Sequence, residues 1–274
     1  KGWDFGLDIG GSFTYQDIKD QAPATSSTAS SNYANGAFLD PNGAAYGISN
    51  EQIKYQFKYN IDFSHAFFGD YKTTIALFGE TRIGHPFSYT FLDPSTSRST
   101  VFGTAGSGSR YLLYVPKTGS DALVSYDSAA TQTAFENFVL SSGLSKFQGK
   151  IAPRNAFHSK WVTRVDLHLE QELPTFVGKS KISVFADIEN FTNFLNRKWG
   201  QVTEIPFNYN VAPIRVACLT APVATGTAPT AAQTSQNATQ TCAQYRYSQF
   251  TQPVQQLYSN QSLYMIRVGA RFTF

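Results

Sequence analysis

This chain is poor in charge. Of its 274 residues 15% are charged, against about 25% in an ordinary soluble domain. The formal net charge is +3 and no block of like charge occurs, which argues against a nucleic-acid partner or a charged binding tail. No apolar run approaches the roughly 18 residues that a membrane-crossing helix needs. That absence leaves strands open as a way through a bilayer, because their signal per segment is far weaker than a helix signal. No signal-peptide pattern precedes the first patterned segment, so the chain reads as a mature or truncated piece. Cysteine is nearly absent too, and both copies, Cys218 and Cys242, fall in one polar stretch.

The deficit of charge is filled by Tyr, Phe, Ser, Thr, Gln and Asn, and these residues alternate. Ile53, Tyr55, Phe57, Tyr59, Ile61 and Phe63 are interleaved with Gln52, Lys54, Gln56, Lys58, Asn60 and Asp62. Val165, Leu167 and Leu169 alternate with Arg164, Asp166, His168 and Glu170, and Tyr264, Ile266, Val268, Phe272 and Phe274 with Arg267 and Arg271. Period two is the strand signal. It predicts six long strands near 2–18, 51–64, 71–91, 160–173, 180–204 and 256–274. Sandwich strands run about 5–6 residues, whereas a tilted membrane strand needs roughly 9–11 for the hydrocarbon alone. The connections alternate strictly, short at 65–70 and 174–179, long at 19–50, 92–160 and 206–255. Short periplasmic turns opposite long extracellular loops are the habit of outer-membrane barrels. The fold class expected is therefore all-β, a transmembrane antiparallel β-barrel segment with long extracellular loops.

One face of such strands meets lipid, with Phe57, Tyr59, Leu167, Leu169, Ile266 and Val268 on it. The other faces the lumen. Lys54, Lys58, Arg82, Arg164, Arg267 and Arg271 stand there with Asp8, Glu80, Asp166, Glu170, Glu189 and His168. The mixed signs suggest charge pairs across the wall, or a substrate surface. Trp3, Tyr15 and Trp161 fall near strand ends, where amphipathic rings prefer the interface. In the second long loop a helix is expected, capped by Asp127, buried through Phe135, Phe138 and Val139, and ended at Gly143. The third loop, read as extracellular, would hold a Cys218–Cys242 disulfide.

The last run, ending on Phe274 with Tyr264, Ile266, Val268 and Phe272 before it, looks like the terminal strand of outer-membrane proteins, which the barrel-insertion machinery reads. Residues 187–196, Asp-Ile-Glu-Asn-Phe-Thr-Asn-Phe-Leu-Asn, resemble the segment on the penultimate strand of TonB-dependent transporters. Residues 79–91, 110–116 and 149–155 look like the Oar-like subgroup, whose members carry a carboxypeptidase-regulatory-like domain. The resemblance implies about 22 strands around a plug, with lipid, upstream strands and plug, and the TonB complex as partners. No plug or TonB box is visible in this sequence, so no coupling residue is assigned. The chain is expected to be the C-terminal part of such a barrel, importing a substrate captured by its loops. The alternatives are a passive porin-type barrel and an adhesive or structural surface barrel.

Chemistry is sparse. No histidine pair among His65, His85, His158 and His168 has metal-ligand spacing. The Gly-Ser-Gly-Ser stretch at 106–109 lacks the strand–turn–helix setting of a nucleophile elbow. No enzyme, cofactor or metal is expected. His168, beside Asp166 and Glu170, suggests a proton network or, more plainly, a solvated residue in a polar wall.

Overall fold

The structure is a computed structural model that describes residues 1–21, 26–40, 43, 45–93, 99, 101–102, 109–175, 180–235 and 242–274. Most of the Gly-Ser stretch at 106–109 and most of the turn at 174–179 lie outside the described residues. The fold is all-β with a few short helices, and no described helix is long and apolar enough to cross a membrane.

The alternating segments form one six-stranded antiparallel sheet in chain order. Its strands are β1 (Leu7–Tyr15), β2 (Tyr55–Phe68), β3 (Tyr71–Arg82), β4 (Val162–Pro174), β5 (Lys181–Glu189) and β6 (Met265–Thr273). The register is clean enough to read rows across it. Ile9, Ile61, Leu77, Leu167, Ile188 and Ile266 form one row on one face. The next residue along each strand points the other way. That row is Asp8, Asp62, Ala76, His168, Asp187 and Arg267. The sheet does not close, and β1 and β6 are its two edges. Residues 1–3 fold back through Gly6 (φ +96°) and cover part of the β1 edge, with Trp3 N–H donating to Leu7 O at 2.7 Å.

Four strand boundaries need correction. The segment expected at 2–18 is a strand only over Leu7–Tyr15, because of that fold-back. The segment at 71–91 is two strands in different sheets. β3 stops at Arg82, and a Cβ on Gly84 would lie 2.6 Å from the Lys160 carbonyl, so the chain turns there where only glycine fits. The segment at 180–204 ends at Glu189, where Asn190 adopts φ +51°. The segment at 256–274 becomes strand in this sheet only from Met265, after a helical turn at Ser259–Ser262.

The long connections hold a second sheet that the alternation did not predict. Its strands are Phe157–His158, Pro86–Leu92, Asn210–Leu219, Gln244–Ser248 and Val124–Tyr126, in that spatial order. Two of its pairings are parallel, between segments far apart in the chain. Here the apolar side chains turn inward. Leu113, Val115, Phe135, Val139, Leu144, Ile214 and Tyr247 are fully buried. The helix Ala129–Ser141 supplies Phe135, Phe138 and Val139 to this core, as its apolar stripe required. Its cap is Ser128, whose Oγ accepts from Thr131 N–H, rather than Asp127. Asp127 N–H donates to the Tyr247 carbonyl, which carries the strand pairing of Val124–Tyr126 one residue on and leaves the cap to Ser128.

Candidate functional site

Two surfaces carry polar chemistry: the charged face of the long sheet, and the layer joining that sheet to the loop sheet. On the charged face the strand register sets the neighbours. Lys58 lies opposite Glu80, and Glu80 opposite Arg164. Gln56 hydrogen-bonds Glu80, and Asn60 bonds Asp62. His168 lies between two carboxylates, with Nδ1 2.6 Å from Asp187 and Nε2 3.3 Å from Glu170. Arg267 reaches Glu189 at 3.1 Å, and Arg271 faces Ser183. A groove of about 420 Å³ runs over Asn60, Asp62, Asp166, His168, Asp187 and Arg267. Of the sequence-assigned residues, Lys58, Arg164, Asp166, His168, Glu170, Arg267 and Arg271 share this face by register. Lys54 precedes β2, with its ammonium 5.6 Å from the Tyr55 ring. Arg82, at the end of β3, turns to the joining layer instead.

That layer centres on Glu204, which is buried. Arg82 donates to it at 3.2 Å, and His85 Nδ1 lies 3.2 Å away. Burial pushes the His85 pKa down; Glu204 opposes that shift and Arg82 adds to it. Burial likewise lowers His158, helped by Lys54. Buried Arg154 ties in the first long loop, donating to Asp20 at 2.6 Å and to the Ala45 carbonyl at 3.0 Å. Asn155 (φ +54°) donates to the Ile48 carbonyl and to Asn50, both at 2.7 Å, while Ser88 Oγ donates to its Oδ1 at 2.9 Å. The first loop thus docks on the second.

The stretch at 187–196 does related work at the end of β5. Asn190 is fully buried, and its amide donates to the Gly200 carbonyl at 3.0 Å and the Ser262 carbonyl at 2.8 Å. Its N–H goes to Asp166 at 2.7 Å. Asn193 donates to the carbonyls of Arg197 and Trp199. Two side-chain amides therefore replace the lost strand ladder and fix the turn. Sequence reasoning did not assign Arg154, Asn155, Asn190 or Glu204. The first three lie in stretches that carried the family resemblance, whereas Glu204 had no signal beyond being a lone acid near a strand end.

In the loop sheet Cys218 and Cys242 are joined in a disulfide with Cα atoms 5.2 Å apart. It sits where Asn210–Leu219 pairs with Gln244–Ser248. Burial raises Tyr89 and Tyr114 to about 12 and Tyr247 well above its ordinary value, so these hydroxyls stay neutral. Among the described residues no cluster of His, Cys, Asp or Glu has the makings of a metal site. The arrangement can hold a polar solute by charge and hydrogen bonds. No family model, curated protein or solved structure matches the chain.

Proposed function

We propose that this chain is part of the β-barrel of a bacterial outer-membrane transporter of the TonB-dependent, Oar-like kind. One observation carries the reading: both faces of the long sheet are open, and one is apolar while the other is charged. Ile266, Val268 and Phe272 are 49%, 76% and 54% exposed. In water so broad an apolar surface is a liability, whereas in lipid it is the surface a barrel needs. β1, β5 and β6 each have 9 residues, within the span expected of a tilted membrane strand of roughly 9–11. The outer edge of β6, and that of β1 beyond the stretch covered by residues 1–3, would be untenable in hydrocarbon, where each orphaned N–H or C=O costs several kcal/mol. They would pair with further strands of the same barrel. The charged face would then line the lumen, and the loop sheet would close over its extracellular mouth and meet the substrate first.

The test has two stages. Fractionated cells should hold the protein in the outer membrane, resistant to extraction by carbonate; recovery in the soluble fraction sinks the barrel reading. Substrate uptake should then stop when the proton gradient is dissipated. Uptake that continues unchanged replaces active transport with passive diffusion.

A further inference from the structure

At the loop end of the apolar face a groove of about 450 Å³ opens between two indoles and two ammonium groups. Lys160, Trp161 and Thr163 line it from the start of β4, and Lys198, Trp199 and Gln201 from the turn after β5. Its outlook follows from the register. Thr163 pairs with Thr81, which lies opposite Phe57 on the apolar face. Trp161 stacks on Tyr55 at 6.4 Å, and Tyr55 packs on Tyr15 at 5.7 Å. Across the sheet Phe194 meets Tyr264 edge-on at 5.2 Å. These rings form a belt along one end of the apolar face, and the groove interrupts it.

Among the described residues nothing neutralises the groove. No carboxylate lines it, and neither Lys160 nor Lys198 has an ion-pair partner among the described residues. Both lysines are exposed, and Trp161 and Trp199 are about half exposed. The backbone that presents them is held firmly. Asn193 donates to the carbonyls of Arg197 at 3.1 Å and Trp199 at 2.8 Å, Lys198 N–H goes to Asn196, and Lys160 N–H to Gln255. Solvated lysines on a wandering loop would need no such framing. Amphipathic indoles settle at the headgroup level of a bilayer, and basic pockets beside them bind acidic headgroups.

We propose that this groove binds the phosphate-bearing headgroup of an outer-leaflet lipid, with Lys160 and Lys198 on the phosphate and Trp161 and Trp199 flanking the sugar or glycerol. The proposal rests on the reading of the long sheet as membrane-spanning. Two lysines near a membrane surface predict about a 30-fold effect on affinity.

The full-length protein in detergent is titrated with bis-phosphorylated lipid A while tryptophan emission and bound-lipid mass are followed. Wild type should take up the lipid with a saturable change in emission. The double variant Lys160→Gln, Lys198→Gln should need about 30-fold more. The control pair Lys117→Gln, Lys150→Gln, which removes the same charge from the loops, should match wild type. Equal affinity in the double variant and wild type overturns the site. An emission change reproduced by inorganic phosphate at equal phosphorus overturns the lipid and leaves a phosphate-ion site. Insertion into phosphatidylcholine vesicles is measured in parallel. Failure of every variant to insert rejects the membrane reading itself, whereas normal insertion with lysine-independent binding rejects this site alone.

Discussion

The molecule contains two β-sheets built from the same residue types and facing opposite ways. In the long sheet the apolar rows are exposed: Phe13 is 57% and Phe272 54% accessible. In the loop sheet Ile214 and Tyr247 have no accessible surface, nor has Phe135 of the helix packed on it. Alternation separates the two faces of the long sheet and does not say which of them is the core. The difference lies in what covers the apolar side. The loop sheet has the helix Ala129–Ser141 and the segment around Leu113 and Val115 packed against it, and the described residues lay nothing over the apolar face of the long sheet. The loop sheet thus carries its own apolar core, and the long sheet has its apolar rows open among the described residues.

The comparison can be broken by substitution. Phe135→Ala should cost about 3–5 kcal/mol, because it opens a cavity in a fully packed core. Urea unfolding in detergent should show the aromatic near-ultraviolet signal of the loop sheet lost early while the far-ultraviolet strand signal persists. Simultaneous loss would mean that the two sheets unfold as one unit. Leu167→Arg, on the outward apolar row, should cost roughly 2–4 kcal/mol in a bilayer if it sits near the midplane. The same substitution would be nearly neutral on a surface facing water. A cost in liposomes no larger than that of Lys58→Ala would reverse the assignment of faces.

Smaller effects sharpen the contrast. Replacing Cys218 and Cys242 by serine should destabilise the loop sheet by about 3 kcal/mol in the chain-entropy model. The strands of the long sheet, which contain no cysteine, should be untouched, so non-reducing calorimetry should move one transition only. The smallest effect is that of pH. His85 and His158 both have folded pKa values below the ordinary 6.5. The unfolded chain therefore binds protons first as pH falls. Stability from these two groups is complete above about pH 6.5 and declines below it towards the folded values. The loop-sheet transition should drop in temperature on acidification from pH 7 to 5, and His85→Gln with His158→Gln should flatten the curve. A transition that rises on acidification would refute the direction.

The long sheet was legible because its signal is local. Each strand carries its own alternation, and short turns set two of the five pairings. The ends were less legible. Gly84 and Pro86 do punctuate the run, yet Phe87, Tyr89 and Phe91 continue the pattern of β3, so two strands of different sheets read as one. Asn190 looks like any strand asparagine until its amide is seen serving Gly200 and Ser262. The loop sheet left no comparable trace. Phe157–His158 has 2 residues and Val124–Tyr126 has 3, too short for a period to register. Its parallel pairs join residues that no turn connects. The charged face was readable as a face. Its contacts, such as His168 between Asp187 and Glu170, needed the register.

The parallel pairing of Asn210–Leu219 with Pro86–Leu92 has a consequence in time. Asn210 lies beside Ser88 and Arg215 beside Leu92, so each contact closes a chain segment of more than a hundred residues. Such contacts come late, since loop closure must be met before the pairing rewards it. During synthesis Pro86–Leu92 emerges long before its neighbour exists. It waits with Phe87, Tyr89 and Phe91 uncovered, a candidate for capture by chaperones. The hairpins of the long sheet, closed by short turns, can form in the meantime. The order of assembly is thus written into the topology, with the loop sheet completed last.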